Sequence, residues 1–409
     1  MVRRWLLERV LELLDIMPAV FIQGARQVGK TTLATQLVAE GVMQVYFTLD
    51  DLATLRAAQQ DPVGFVDNLP ERSILDEVQR VPELLLGLKR RIDTQRKAGM
   101  FLLTGSASPL TLPQVADVLV GRMAILTLHP FSQGEMEGVR ERWIERAFEG
   151  RWEMASGADH NDIWARILRG GYPEAVSISD TAKRQAWLRA YADTLITRDV
   201  RLLVDIERVA DTGRLLQLLA SQACQLLNIA NLSRETGIPY STLQRYLALL
   251  ETLMIVARIP PWHASISQQL LKTPKIMLND TGLALAILNV SEERLKGDDS
   301  LRGRMLENFV AAELVKQISY ADMPYRLYHL RTSKGREVDL LIEDEQGRLL
   351  GIEVKASATV GAEDFRHLRA LAEWAASRWA GGVVLYLGRT QVPFGEKLWA
   401  MPVSSLWQA

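Results

Sequence analysis

Over roughly the first 130 residues, short apolar runs alternate with stretches whose apolar residues recur at helical spacing. A strand buried on both faces reads as a near-continuous apolar run, so this alternation predicts a parallel sheet covered by helices. The opening segment "MVRRWLLERVLELLDIM" predicts an amphipathic helix, because a signal peptide would have an unbroken apolar stretch. The predicted strands are "AVFIQ", "QVYFTL", "SILD", "MFLLTG" and "AILTLHP".

The pattern changes twice in the rest of the chain. Residues from about 160 to 220 are helical throughout, and residues 223–262 follow the order helix, turn, helix and a wing-like segment. From about 300 onward a helix, a hairpin and the apolar strand "GGVVLYLG" predict a second α/β region. A chain of 409 residues agrees with two or three domains rather than one core.

Composition narrows the class of protein. The apolar fraction of 48% and charged fraction of 24% are those of a globular protein, and the net charge of -1 provides no overall basic field. The single cysteine, Cys224, excludes an internal disulfide and fits a reducing compartment, and the five histidines lack zinc-ligand spacing. No run reaches the roughly 18 apolar residues of a membrane span, so we expect a cytoplasmic protein with no membrane partner.

One short stretch carries a nucleotide-binding motif. The sequence "GARQVGKT" matches the pattern G-x-x-x-x-G-K-[ST], with a predicted strand before it and a predicted helix after it. Backbone N–H groups of such a loop face phosphates, Lys30 reaches the β- and γ-phosphates, and the Thr31 hydroxyl holds Mg²⁺. ATP and Mg²⁺ are therefore the expected cofactors. The predicted ATP-binding residues are Gly24, Ala25, Arg26, Gln27, Val28, Gly29, Lys30, Thr31 and Thr32.

The segment "SILDEVQ" supplies the acidic partner of this loop. Asp76 ends an apolar strand and is expected to hold Mg²⁺ through a water molecule, alongside Thr31. Glu77 follows directly, where a carboxylate can polarise the attacking water. The pair therefore predicts hydrolysis of ATP as well as binding.

Two further kinds of ATP-site residue are expected. A polar residue at the end of the strand "LLTGSAS" would sense the γ-phosphate, and Thr104 and Ser106 both fit. Arginine-finger candidates are Arg122 in "VGRM" and Arg198 in "ITRDV". Each arginine could equally form a structural ion pair.

These motifs, in their order, resemble one family. "GARQVGKTTL", "LDEVQRVPEL", "LLTGSASP", "VGRMAILTLHPFS", "GGYPEAV" and "ITRDV" are similar to segments of the AAA-type ATPases of bacteria and archaea that carry a C-terminal domain of unknown function. The resemblance extends over essentially the whole chain and implies ATP binding with hydrolysis. The family usually has proline at the position of Ala25, which is not a ligand by chemistry.

Residues 223–262 contain a helix-turn-helix pattern. Leu232 to Thr236 predicts a short helix, Gly237 the turn, and Ser241 the cap of a second helix. However, residues 200–262 contain six Arg and five acidic residues, so this segment lacks the strong positive charge typical of DNA-binding surfaces. Winged helices also serve as rigid connectors between domains. The candidate DNA-binding residues are Tyr240, Ser241, Thr242, Gln244 and Arg245.

Three acids and a lysine recur in the C-terminal region. Asp339 lies before the turn "EDEQGR", and Glu353 and Lys355 share one face of the strand after it. If the faces coincide, these groups could bind Mg²⁺ and activate water for phosphodiester cleavage. The arrangement resembles the PD-(D/E)xK nuclease superfamily, with Glu307 as the helical acid. That resemblance makes Asp339, Glu353 and Lys355 catalytic candidates and Glu307, Asp339 and Glu353 metal ligands; a surface hairpin or a motif retained for binding are the alternatives.

The predicted fold class is α/β: an AAA-type P-loop NTPase parallel sheet, a helical region, a winged helix and a C-terminal α/β nuclease-like domain. The expected domains are 1–160 for the ATPase, 161–222 for the helical region, 223–270 for the winged helix-turn-helix and 271–409 for the nuclease-like domain.

The leading functional hypothesis is a Mg²⁺-dependent ATPase that acts as a nucleotide switch on DNA through its winged helix and C-terminal domain. One alternative is an ATP-regulated, Mg²⁺-dependent DNA nuclease. Another is a protein-interaction ATPase that does not bind nucleic acid. ATP is the expected ligand, while DNA, a protein partner and a homo-oligomer remain open.

Overall fold

The computed structural model describes residues 2–106, 120–152, 160–195, 209–263, 273–331 and 337–408. The chain divides into two compact units. The first unit contains Met1–Phe131 and Thr252–Met254, and the second contains Ser132–Glu251 and Ile255–Ala409.

A five-stranded parallel sheet forms the centre of the first unit, in the order β2-β3-β4-β1-β5. β4 therefore lies between β1 and β3. The predicted parallel sheet and its strands are confirmed, although the last predicted strand, "AILTLHP", begins one residue earlier and ends earlier than expected. The strands are β1 Ala19–Gln23, β2 Val45–Thr48, β3 Ser73–Asp76, β4 Phe101–Gly105 and β5 Met123–Thr127.

Helices cover this sheet because each has an apolar stripe. In the first helix, buried Leu6, Val10 and Leu14 recur at helical spacing, which confirms the amphipathic helix expected there. Asp51 and Asp61 start two later helices by accepting hydrogen bonds from backbone N–H groups of the first turn. The helices are α1 Leu6–Ile16, α2 Lys30–Ala39, α3 Leu52–Gln60, α4 Pro62–Asp67 and α5 Leu84–Gln95.

The first part of the second unit is helical. Its described helices are α6 Gln133–Glu137, α7 Trp143–Phe148, α8 His160–Arg169, α9 Pro173–Ser177, α10 Thr181–Thr194, α11 Val209–Ser221, α12 Ile229–Thr236, α13 Tyr240–Thr252, α14 Thr281–Ile287, α15 Glu292–Lys296 and α16 Asp299–Tyr320.

A buried carboxylate explains the Gly-Gly pair of "GGYPEAV". Asp280 accepts hydrogen bonds from the N–H of Gly171 at 2.6 Å and of Leu283 at 2.8 Å. Gly170 has φ +68°, and a Cβ there would lie 2.4 Å from Asp280 Oδ1. Only glycine fits this approach, so the motif allows the backbone to lie close to the Asp280 carboxylate.

The helix-turn-helix pattern of the sequence is present as two helices, α12 and α13, separated by Gly237 with φ +70°. α13 begins at Tyr240, so Ser241 lies within its first turn and is not the cap that the sequence predicts. Pro239 precedes the helix, and its fixed φ favours this earlier start. Two antiparallel strands follow, β6 Val256–Ile259 and β7 Lys275–Leu278.

A mixed six-stranded sheet in the order β12-β13-β11-β10-β9-β8 forms the C-terminal part. β9 and β10 pair antiparallel across the turn predicted from "EDEQGR", which confirms the hairpin. Within the described residues, no helix is long and apolar enough to cross a membrane. The strands are β8 Tyr325–Arg331, β9 Glu337–Asp344, β10 Leu349–Lys355, β11 Trp379–Tyr386, β12 Val392–Gly395 and β13 Leu398–Pro402, with α17 Arg366–Ala375 between β10 and β11.

Candidate nucleotide-binding site and C-terminal acidic cluster

The P-loop, residues 24–31, connects β1 to α2. Gly29 has φ +99° and directly precedes the first residue of α2, while Gln27 has φ +62°. A Cβ on Gly24 would lie 2.5 Å from the carbonyl oxygen of Leu128, so a side chain does not fit there. The two glycines therefore allow the tight curl that aims backbone N–H groups at a phosphate.

Lys30 lies inside this curl and is 5% exposed. Its Nζ donates to the carbonyl oxygens of Gly24 at 2.8 Å and Ala25 at 2.9 Å, and lies 3.4 Å from Ser106 Oγ. Burial lowers the pKa of Lys30 to about 8, against the opposing effect of Glu77 and Asp76. The ammonium is thus held at the centre of the loop, where negative phosphate oxygens would favour its charged form.

Arg4 braces the P-loop from the N-terminal segment. Its Nη1 donates to the Val28 carbonyl at 2.8 Å, and its Nη2 to the His129 carbonyl at 2.5 Å. The guanidinium also lies 4.8 Å from the centre of the Phe131 ring. This role of Arg4 could not be predicted from the sequence, because one arginine beside an amphipathic helix has no distinguishing pattern.

Asp76 and Thr31 are hydrogen-bonded to each other. Thr31 Oγ1 donates to Asp76 Oδ2 at 2.8 Å. Two other hydroxyls donate to the same carboxylate: Tyr46 to Oδ2 at 2.5 Å, and Thr104 to Oδ1. Hydroxyl and carboxylate oxygens suit Mg²⁺, which typically takes only one or two protein ligands beside nucleotide phosphates. Thr31 and Asp76 therefore fit the expected ion, whereas Tyr46 is a contact that no motif predicted.

Glu77 adopts a left-handed conformation, with φ +62°. Its N–H donates to Thr104 Oγ1 at 3.2 Å, and its carboxylate oxygens lie 3.5 Å from Ser106 Oγ. Gln79 Nε2 also donates to this carboxylate. Such backbone strain in a non-glycine residue is frequent at functional sites. In this conformation the carboxylate of Glu77 lies beside the Ser106 hydroxyl.

The two sensor candidates have different positions. Thr104 contacts both Asp76 and the backbone of Glu77, while Ser106 lies between Lys30 and the Glu77 carboxylate. Both reach the site because β4 lies between β1 and β3. Ser106 is therefore the better placed of the two to respond to a γ-phosphate.

The remaining ATP-site candidates are partly accounted for. Arg122 Nε and Nη2 donate to the Asp93 carboxylate at 2.6 Å and 3.1 Å, so Arg122 forms the structural ion pair that was the alternative to an arginine finger. Arg198 lies outside the described residues. In the P-loop, Ala25 and Val28 are buried, Arg26 is half-buried and Gln27 is exposed; Thr32, in the first turn of α2, is exposed as well.

A second group of charged side chains, the acidic cluster, consists of Glu307, Glu337, Asp339 and Glu353 in the second unit. Lys275 of β7 lies among them and is 3% exposed. Its Nζ lies 2.7 Å from Glu307, 3.6 Å from Glu337 and 3.8 Å from Asp339 Oδ1, and donates to the Asp339 carbonyl at 3.3 Å. Sequence reasoning did not identify this lysine.

The predicted convergence of Asp339, Glu353 and Lys355 is present. The N–H of Val354 donates to Asp339 Oδ2 at 2.9 Å, and Lys355 Nζ lies 3.2 Å from Glu353 Oε2. Burial, followed by repulsion from Asp339, raises the pKa of Glu353 and of Glu307 above the usual range of a carboxyl group. Glu353 Oε1 is buried and has no hydrogen-bond partner among the described residues.

The structure gives no support to a divalent-metal site in the acidic cluster. Across the described residues, no group of three or more His, Cys, Asp or Glu side chains could hold a metal ion. An ammonium, Lys275, lies among these carboxylates instead. The Mg²⁺ site predicted at Glu307, Asp339 and Glu353 therefore stays a prediction.

The helix-turn-helix candidates lie in the first two turns of α13. All are exposed except Thr242, which is half-buried. Gln244 Nε2 donates to Tyr240 Oη at 3.4 Å, and the Arg245 guanidinium lies 6.0 Å from the Tyr246 ring centre. The five side chains are therefore presented on one helix, while contact with DNA stays a prediction.

Three family models match the chain. Residues 17–137 match the model described as an AAA domain, which contains the P-loop, Asp76 and Glu77. Residues 160–294 match a domain of unknown function, DUF8612, and residues 302–406 another, DUF4143. The expected AAA domain and C-terminal domain of unknown function are thereby confirmed.

Similar proteins extend the comparison. Two uncharacterized proteins, of Mycobacterium bovis and Mycobacterium tuberculosis, are 29% identical over 391 residues, covering 95% of this chain and 81% of each relative. A Walker-type ATPase of Pyrococcus abyssi is 15% identical, with 69% of this chain and 94% of that chain covered and a TM-score of 0.41. RuvB of Thermotoga maritima is 20% identical, with 62% of this chain and 86% of that chain covered and a TM-score of 0.28. At these TM-scores the two solved structures do not define the fold of this chain.

Proposed function

We propose that this chain, which carries an AAA-type P-loop ATPase domain and a C-terminal DUF4143 domain, hydrolyses ATP with Mg²⁺ and acts as a nucleotide switch on DNA. The observation that supports hydrolysis is the convergence of Lys30, Thr31, Asp76 and Glu77 around one loop. The position of β4 between β1 and β3 adds Ser106 to the same point.

The roles follow from the contacts. Lys30 would exchange its two carbonyl partners for phosphate oxygens. Thr31 and Asp76 would hold Mg²⁺, which would neutralise phosphate charge. Glu77 orients the attacking water and accepts its proton. Ser106 contacts both Lys30 and Glu77, so its hydroxyl would report the γ-phosphate to the water-orienting acid.

Two substitutions separate binding from turnover. Lys30→Ala should abolish binding of a fluorescent ATP analogue, while Glu77→Gln should keep binding and lower the release of inorganic phosphate by at least about 100-fold. The matched control is Glu71→Gln, which neutralises an exposed carboxylate of the same unit that pairs with Lys97. Turnover in Glu77→Gln equal to that of the control would refute the role of Glu77.

DNA binding through α13 is the second element of the proposed switch. The exposed first turns of α13 favour it, whereas the net charge of -1 provides no long-range attraction. Fluorescence anisotropy with duplex DNA at low salt, with and without ATP, tests it, and Arg245→Ala should weaken binding. No retention of DNA in either nucleotide state would favour the protein-interaction ATPase.

A second candidate function is an ATP-regulated DNA nuclease. The convergence of Asp339, Glu353 and Lys355 favours it, whereas the Lys275 ammonium among the acids does not. Incubation of supercoiled plasmid with the protein and Mg²⁺ or Mn²⁺ decides between the nuclease and the nucleotide switch. Cleavage lost in Asp339→Ala and Lys355→Ala but retained in Lys30→Ala would support the nuclease.

A further inference from the structure

The Asp76 carboxylate has a hydrogen-bond donor outside the P-loop and its acidic strand. Tyr46 lies in β2, an edge strand of the sheet, and its hydroxyl lies 2.5 Å from Asp76 Oδ2. The register pairs Thr48 with Asp76, so Tyr46 lies two residues upstream on the neighbouring strand. Two residues of a strand span about 6.6 Å, and a tyrosine side chain is long enough to reach Asp76 over that distance.

The acceptor positions of Asp76 are almost filled. A carboxylate offers about four lone-pair positions, two on each oxygen. Thr31 and Tyr46 donate to Oδ2, and Thr104 donates to Oδ1. One position on Oδ1 is therefore left. Because Asp76 is only 2% exposed, its rotation is set by these three hydroxyls rather than by water.

We propose that Tyr46 is a positioning residue of the ATP-hydrolysis site, whose hydroxyl fixes the rotation of the Asp76 carboxylate and keeps Oδ2 directed at Thr31. This inference rests on the proposed ATP hydrolysis. Without the Tyr46 hydroxyl, Oδ2 keeps Thr31 as its hydroxyl donor and the carboxylate gains freedom to turn. The side chains that would hold Mg²⁺ would then be less well ordered.

The chemistry of Tyr46 suits a permanent donor. Its phenol O–H donates to the Asp76 carboxylate and offers a single hydrogen for that bond. Phenylalanine preserves the ring and removes only the hydroxyl. Tyr46→Phe is therefore a direct test of the hydrogen bond.

The first experiment uses nucleotide-free protein. A double-mutant cycle of Tyr46→Phe and Asp76→Asn, measured by thermal unfolding, should show coupling: Tyr46→Phe lowers the Tm of the wild type more than it lowers that of Asp76→Asn. Tyr386→Phe is the matched control, since it removes a hydroxyl that donates to the Thr390 carbonyl at 2.6 Å in the second unit. Additive shifts for Tyr46→Phe, like those expected for Tyr386→Phe, would overturn the proposal.

The second experiment measures binding of a fluorescent ATP analogue with EDTA and with Mg²⁺. Tyr46→Phe should bind as the wild type does in EDTA. With Mg²⁺, its affinity for the analogue should be about tenfold lower than that of the wild type, and its kcat for ATP hydrolysis should fall by a similar factor. Effects of this size are expected when a hydrogen bond to a charged group is lost. Wild-type Mg²⁺ dependence and kcat in Tyr46→Phe would overturn the proposal.

Failure of the proposed function gives a different result. Equal binding of the ATP analogue by the wild type and Lys30→Ala would exclude ATP binding at the P-loop. The nucleotide-free cycle would then still decide whether Tyr46 orients Asp76.

Discussion

Glu141 should make the stability of the second unit depend on pH. It is 3% exposed, and its Oε1 accepts a hydrogen bond from the N–H of Gly134 at 2.7 Å, while its Oε2 accepts one from the Tyr320 hydroxyl at 3.0 Å. Burial, supported by repulsion from Glu313, raises the pKa of Glu141 to about 7, against the opposing hydrogen bond of Ser132. The folded protein therefore keeps a proton that the unfolded chain releases.

The size of the effect follows from that difference. The pKa rises from 4.5 to about 7. At about 1.4 kcal/mol per pKa unit, the free energy of unfolding falls by about 3 kcal/mol as the pH rises from the unfolded to the folded pKa. Below about pH 4.5 both states hold the proton, and above about pH 7 both release it, so the contribution is constant outside this window.

Glu141→Gln isolates this contribution, because other groups cancel in the difference between the two proteins. Urea unfolding at several pH values between about 5 and 8 should show the variant gaining about 3 kcal/mol relative to the wild type toward high pH. Glu292→Gln is the control, since Glu292 is an exposed carboxylate that pairs with Lys296. A difference between Glu141→Gln and wild type that does not change with pH would refute the reasoning.

Three further outcomes are expected. Gly170→Ala should lower the stability by at least about 1–3 kcal/mol, because its Cβ would lie 2.4 Å from Asp280 Oδ1 at φ +68°; an unchanged Tm would contradict this. Lys275→Met should lower the free energy of unfolding in urea by about 3–5 kcal/mol, because it leaves buried carboxylates unpaired. Lys296→Met removes a lysine from an exposed ion pair and should change stability little. Equal effects of the two substitutions would show that the buried ammonium is dispensable. Arg122→Ala should leave ATP turnover unchanged, and a large loss of turnover would instead identify Arg122 as an arginine finger.

The P-loop could be predicted because its chemistry is local. Eight consecutive residues between a strand and a helix define it, and the two residues "DE" at the end of β3 are equally recognisable. The sequence also predicted the hairpin that brings Asp339 close to Glu353 and Lys355, because alternation and the turn determine which side chains share a face.

Tyr46 and Lys275 could not be predicted in the same way. Tyr46 is a strand residue in an apolar run, where an aromatic side chain usually indicates packing, and its partner Asp76 is 30 residues away. Lys275 begins a strand and looks like a solvated flank, while its partner Glu307 is 32 residues away. Both contacts depend on which strands and helices become neighbours, and the local pattern does not contain that information.

The strand order also has a consequence for the order of events during synthesis of the chain. β1 leads into the P-loop, yet it pairs with β4 and β5, which begin at Phe101 and Met123. Arg4, which holds the loop, finds its partner His129 125 positions later. The ribosome must therefore release about 130 residues before all contacts that hold the P-loop can form. We expect ATP binding to follow completion of the sheet, and a nascent chain halted before β5 to lack a fully formed P-loop site.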